Sequence, residues 1–133
     1  MRRVASFKSS AFNTSEERDY FANSGCFGDD LAKWMMVRLR NSGYETDAEP
    51  GQEDCGWYFN FQAPAGAHCC IVVYQSAEPD GVWHMFLERK RGIIPSLLGG
   101  RNVGIDPAAV RAVTKTLESA SEISELRYGG EGA

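Results

Sequence analysis

The stretch from Trp57 to Arg91 constrains this chain more than any other, because it carries the pattern of three consecutive strands. Trp57, Phe59, Phe61 and Ala63 alternate with Tyr58, Asn60 and Gln62. That period of two belongs to a strand with one buried face, here Trp57–Ala63. Pro64-Ala65-Gly66 reads as a turn. The next segment, His68–Ser76, is apolar on both sides, with Cys69, Ile71 and Val73 on one and Cys70, Val72 and Tyr74 on the other. Such a segment belongs in the middle of a sheet. Glu78-Pro79-Asp80-Gly81 is a second turn signal, and Val82–Lys90 then sets Trp83, Met85 and Leu87 against Val82, His84 and Phe86.

The rest of the chain can be placed around this meander. Val4 and Phe7 predict a first strand over Arg3–Ser9. Asn13–Asn23 is polar, with a short helical turn capped by Thr14 or Ser15 and carrying Tyr20 and Phe21. Leu31, Trp34, Met35 and Leu39 make one apolar stripe, which predicts a helix from Asp29 to Ser42 with Asp29 as its N-cap and Gly43 as its stop. Tyr44–Ala48 reads as a short strand broken by Glu49-Pro50-Gly51-Gln52. Asp106 caps a second helix with Pro107 at its first position and Val110, Val113 and Leu117 as its stripe, ending near Ser121. Ile123–Tyr128 is the last strand, and residues 1–2 and Gly129–Ala133 read as frayed ends. The order β-α-β-β-β-β-α-β predicts a single α+β domain over 1–133, two-layered, with two helices on one face of a mainly antiparallel sheet. The other face then has no assigned cover, and Tyr58, Asn60, Gln62, Tyr74, His84 and Phe86 are expected to cluster on it.

Composition enters as a bound on function. At 133 residues and 43% hydrophobic, the chain can bury a core without disulfide or metal staples. A net charge of -4 argues against general nucleic-acid binding, which draws on basic surface. Cys26, Cys55, Cys69 and Cys70 form no C-x-x-C pair, Ser6, Lys8, Ser9 and Ser10 interrupt any secretory apolar run, and no run of about 18 apolar residues exists. A cytoplasmic protein with reduced thiols and no membrane span is expected.

Several clusters bear on chemistry. Asp29 and Asp30 can pair to hold a metal, but a capping residue beside a dipole-favoured neighbour is the plainer reading. Glu53 and Asp54 precede Cys55-Gly56-Trp57 and can form the rim of an acidic and aromatic cleft. His68, Cys69 and Cys70 alternate across a strand, which opposes a shared metal and favours two buried structural cysteines. His84 is mid-strand between Trp83 and Met85, a sheet histidine before it is a base. The most distinctive segment is Gly92–Gly104. It joins Arg91 and Arg101 to Ile93, Ile94, Leu97 and Leu98 inside Gly and Pro boundaries, so it can dock a partner, close a pocket or plug the sheet edge.

Three pieces carry a resemblance: Phe27-Gly28-Asp29-Asp30-Leu31-Ala32, then Gly43-Tyr44-Glu45, then Glu53-Asp54-Cys55-Gly56-Trp57. Together they resemble a group of small bacterial proteins of unknown function with G-D-D-L-A, G-Y-E and E-D-W-G-W motifs. Cys55 stands where that group has tryptophan. The matching region runs over Phe27–Phe61, and the resemblance implies a bacterial origin and no catalytic residues.

Two readings of function follow. The first is a non-enzymatic protein-binding domain, immunity- or antitoxin-like or a homodimer, working through the open sheet face with Tyr58, Asn60, His84 and the Arg91–Arg101 segment. The second is a small enzyme or small-ligand-binding protein with Glu53, Asp54, Trp57 and His84 around one cleft. Neither requires a cofactor or a metal.

Overall fold

A computed structural model describes residues 1–76, 81–90 and 104–129. The elements are β1 (Arg2–Lys8), α1 (Asp29–Asn41), β2 (Gly51–Glu53), β3 (Gly56–Ala63), β4 (Gly66–Gln75), β5 (Val82–Arg89), α2 (Pro107–Glu118) and β6 (Ser124–Tyr128). The six strands form one antiparallel sheet in the order β2-β3-β4-β5-β1-β6. The α+β class, the order of elements and the helices on one face agree with the sequence reading. The segments 77–80, 91–103 and 130–133 lie outside the described residues, and with them Arg91, Ile93, Ile94, Leu97, Leu98 and Arg101.

One sheet face is the core. Trp57, Phe59, Phe61 and Ala63 on β3, Cys70 and Val72 on β4, and Trp83, Met85 and Leu87 on β5 are all buried there. Val4 and Phe7 extend that face onto β1. Helix α1 lies against β3 and β4, and α2 against β1 and β6. Leu31, Met35, Met36 and Leu39 from α1 and Ala109, Val113 and Leu117 from α2 complete the layer. Each large apolar side chain so buried contributes roughly 1.5–3 kcal/mol against chain entropy.

His68 is fully buried within this face and is satisfied on both nitrogens. Its Nδ1 donates to the Gly66 carbonyl at 2.9 Å, and its Nε2 accepts from the Asp106 backbone N–H at 3.0 Å. Asp106 in turn caps α2, accepting from Ala108 N, and takes a second bond from Ala65 N, each at 2.9 Å. These two backbone donors hold its carboxyl below the usual range. The β3–β4 turn and the start of α2 are therefore one hydrogen-bonded unit.

Several local expectations are corrected. The second strand is Gly51–Glu53, not Tyr44–Ala48, where only Thr46 forms an isolated bridge, to Phe61. Residues 13–28 form turns and bends rather than a helical turn, because Asn13 Oδ1 accepts from Ser15 N and Glu16 N and closes a local turn. The cap of α1 is Gly28, at φ 139°, and Asp29 is the first helical residue. At the other end Gly43 does stop the helix, with Gly43 N bonded to Arg40 O and Tyr44 N to Leu39 O at 2.9 and 3.0 Å. Arg2 belongs to β1, and Gly129 N bonds Val4 O at 2.8 Å.

Candidate functional site

The open face is set by strand register. Tyr58 pairs with Ile71, Ile71 with Phe86, and Phe86 with Arg3, so these four side chains form a row across β3, β4, β5 and β1. A neighbouring row runs through Val73, His84, Ser6 and Arg127. Asn60 and Glu88 flank Cys69 in a third. No described element lies over these rows, and both helices pack on the opposite side. The apolar members are half-buried by one another.

Tyr74 is not on this face. It falls on the same side as Cys70 and Val72 and stacks on Trp83 with ring centroids 4.8 Å apart. Ile71 and Val73 take the place that the sequence reading gave it.

His84 is committed to structure. An arginine can only donate, so the 3.3 Å contact from Arg3 Nη1 makes His84 Nδ1 the acceptor. Nε2 then carries the proton and donates to Gln75 Oε1 at 2.7 Å. Burial, and then the Arg3 charge, lower the imidazole's pKa. Cys69 and Cys70 are free buried thiols. Burial, then the charge of Glu88, pushes Cys69 up to about 11, and burial pushes Cys70 higher still.

The other two cysteines are joined. Cys26 and Cys55 form a disulfide with Cα atoms 5.0 Å apart, which corrects the expectation of four reduced thiols. Folding brings residue 26 onto the β2–β3 turn, a pairing that their separation of 29 residues does not reveal. Gln52 fastens the same place, accepting from Ala22 N at 2.6 Å and donating to Cys26 O at 3.2 Å. Trp57 Nε1 also donates to Cys26 O, at 2.9 Å.

Beside this clasp is a cleft of about 370 Å³ walled by Tyr20, Asp29, Lys33, Glu49, Gln52 and Trp57. Asp29 is only 3% exposed. Its Oδ2 accepts from the Tyr20 hydroxyl, and its Oδ1 is buried with no hydrogen-bond partner among the described residues. The bond to Asp29 raises the Tyr20 pKa, with burial and the Asp29 charge adding to it. Lys33 Nζ sits 5.7 Å from the Tyr20 ring centre and 3.8 Å from Glu49 Oε1. A carboxylate with a spare acceptor beside aromatic rings suits a positively charged donor.

The candidate residues therefore separate. Trp57 faces the core side, whereas His84 faces the open side two strands away, so the sheet lies between them. Asp54 sits on the exposed β2–β3 turn at φ 54°, its carbonyl accepting from Asn23 Nδ2. One cleft shared by Asp54, Trp57 and His84 is thus ruled out by register. Glu53 pairs with Gly56 at the β2 edge, and Tyr58 and Asn60 stand on the open face. Tyr20 and Asp29 form the cleft that sequence reasoning missed. A carboxylate read as a cap gave no signal of a tyrosine partner nine residues earlier. Comparison with protein-family models, curated proteins and solved structures finds no match.

Proposed function

We propose that this chain is a non-enzymatic binding domain of bacterial origin whose open sheet face docks a protein. The observation that carries this reading is the row Tyr58, Ile71, Phe86 and Arg3, with Val73 and His84 beside it and no described element above. Aromatic and aliphatic side chains edged by arginine are the composition of an interface centre. An immunity- or antitoxin-like role is one form of it. A cytoplasmic setting belongs to the same proposal on one condition: a reducing cytoplasm would hold Cys26 and Cys55 as thiols.

Affinity capture from bacterial extract tests the face itself. Proteins retained by the native chain should be lost with Phe86→Lys and kept with Val37→Lys, which alters an exposed position on α1. If both variants retain the same proteins as the native chain, the open face is not the docking surface.

A second reading is favoured by Asp29 Oδ1. The Tyr20–Asp29–Trp57 cleft would take a small organic cation, an ammonium or guanidinium, that donates to this oxygen. Titration with butylammonium followed by NMR should shift the Trp57 indole N–H and the Tyr20 ring at millimolar concentrations. Asp29→Asn should abolish the shifts, with Tyr20→Phe weakening them. Equal shifts with butylammonium and acetate would remove this reading.

A further inference from the structure

The open face carries opposite charge at its two ends. Glu53 lies at the β2 end, paired with Gly56, and Asp47 is on the same side of the sheet, bound to the Asn60 backbone and side chain at 2.8 and 2.9 Å. Arg3 and Arg127 lie at the β1 and β6 end. Lys8 is there too, engaged by Glu125 at 3.6 Å. Between the ends the middle row is apolar, with Ile71 and Phe86 on the two central strands, and His84 and Glu88 stand on β5 in the rows beside it.

From this pattern we infer that the partner on the open face is a second copy of the chain, related by a two-fold axis running along the strands between β4 and β5. The inference rests on the open face being the docking surface. Rotation about that axis reverses the strand order and keeps each row at its height. Glu53 of one copy then faces Arg127 of the other, Tyr58 faces Arg3, and Ile71 faces Phe86. Each contact occurs twice, as a self-complementary two-fold interface requires. An axis across the strands would instead set Glu53 against Glu53 and Arg127 against Arg127.

The three contacts differ in kind and reinforce one another. Ile71 against Phe86 supplies the dry centre, Arg3 over the Tyr58 ring a cation–π contact, and Glu53 with Arg127 a charged rim. Aligned sheets cross at about 30°, which displaces the edge rows by an amount that glutamate and arginine side chains can span. Six strands over five residues cover roughly 500 Å² per copy. That is the low end of a specific interface, so a micromolar dimer is expected.

Sedimentation of the purified chain between about 1 μM and 1 mM spans the affinity expected for an interface of this size. A reversible monomer–dimer equilibrium should appear and weaken with added salt. Glu53→Arg and Arg127→Glu should each weaken it about tenfold or more, and the two changes together should restore it. Both positions are exposed, so the variants should fold, with circular dichroism as the check. A monomer at every concentration, or a dimer that ignores these charge reversals, overturns the inference. The capture experiment with Phe86→Lys is independent of that result, so a face that binds some other protein remains distinguishable from a face that binds none.

Discussion

Replacing Gly28 with alanine is expected to lower the unfolding free energy by about 2–5 kcal/mol. The residue sits at φ 139°, where side chains are strained, and it does so immediately before α1. An added Cβ would also lie 3.0 Å from Val72 Cγ2 and 3.2 Å from Trp57 Cδ1, both in the core. Backbone strain and overpacking therefore act at one atom. Gly43 separates the two effects, since it has φ 98° but nothing within 4 Å of where a Cβ would stand. Gly43→Ala should cost only about 1 kcal/mol. Urea unfolding of both variants checks this, and equal midpoints would show that crowding at Gly28 contributes nothing.

Serine at both Cys26 and Cys55 should cost about 3–4 kcal/mol, from the chain entropy of a loop closed across 29 residues. The effect should be local first, because the disulfide, Gln52 and Trp57 all hold the chain around Cys26. Hydrogen exchange at residues 20–28 should quicken before the sheet is affected. An unchanged urea midpoint for the double variant would mean that the other two fastenings suffice. Alkylation before and after reduction reports the same bond. Cys69 and Cys70 should react on unfolding alone, and Cys26 and Cys55 only after reduction. Applied to intact cells, that measurement also decides the compartment.

What could be read in the sequence was whatever repeats locally. Trp57, Phe59 and Phe61 alternate, so β3 and its buried side were legible from the residues alone. The Asp106-Pro107 start of α2 was legible for a similar reason, since cap and first turn are neighbours. β2 was not, because Gly51-Gln52-Glu53 has no apolar pattern. Gly51 is there because the Tyr58 ring occupies its side-chain space, at 2.6 Å from where a Cβ would stand. Tyr74 shows a subtler limit. Its alternation with Ile71 and Val73 was plain, but which side was core depended on Cys70 pairing with Phe59 across strands. The cleft was hidden by the same cause, since Tyr20, Asp29, Gln52 and Trp57 are assembled only when the disulfide-bearing loop reaches the β2–β3 turn.

The position of β1 has a consequence for how the chain folds. The first of these six strands in chain order is placed fifth in the sheet, between β5 and β6. Its pairs reach from Arg2 to Leu87 and from Ala5 to Tyr128. On a ribosome, β3 and β4 can pair as soon as their short turn emerges, but β1 must wait for β5, and its other edge stays open until β6 emerges. Val4, Ala5 and Phe7, buried in the finished protein, are exposed throughout that interval. Closure over such separations is slow relative to hairpin formation. Assembly should therefore run outward from the β3–β4–β5 meander, with the N-terminal strand docking late and β6 sealing it in place.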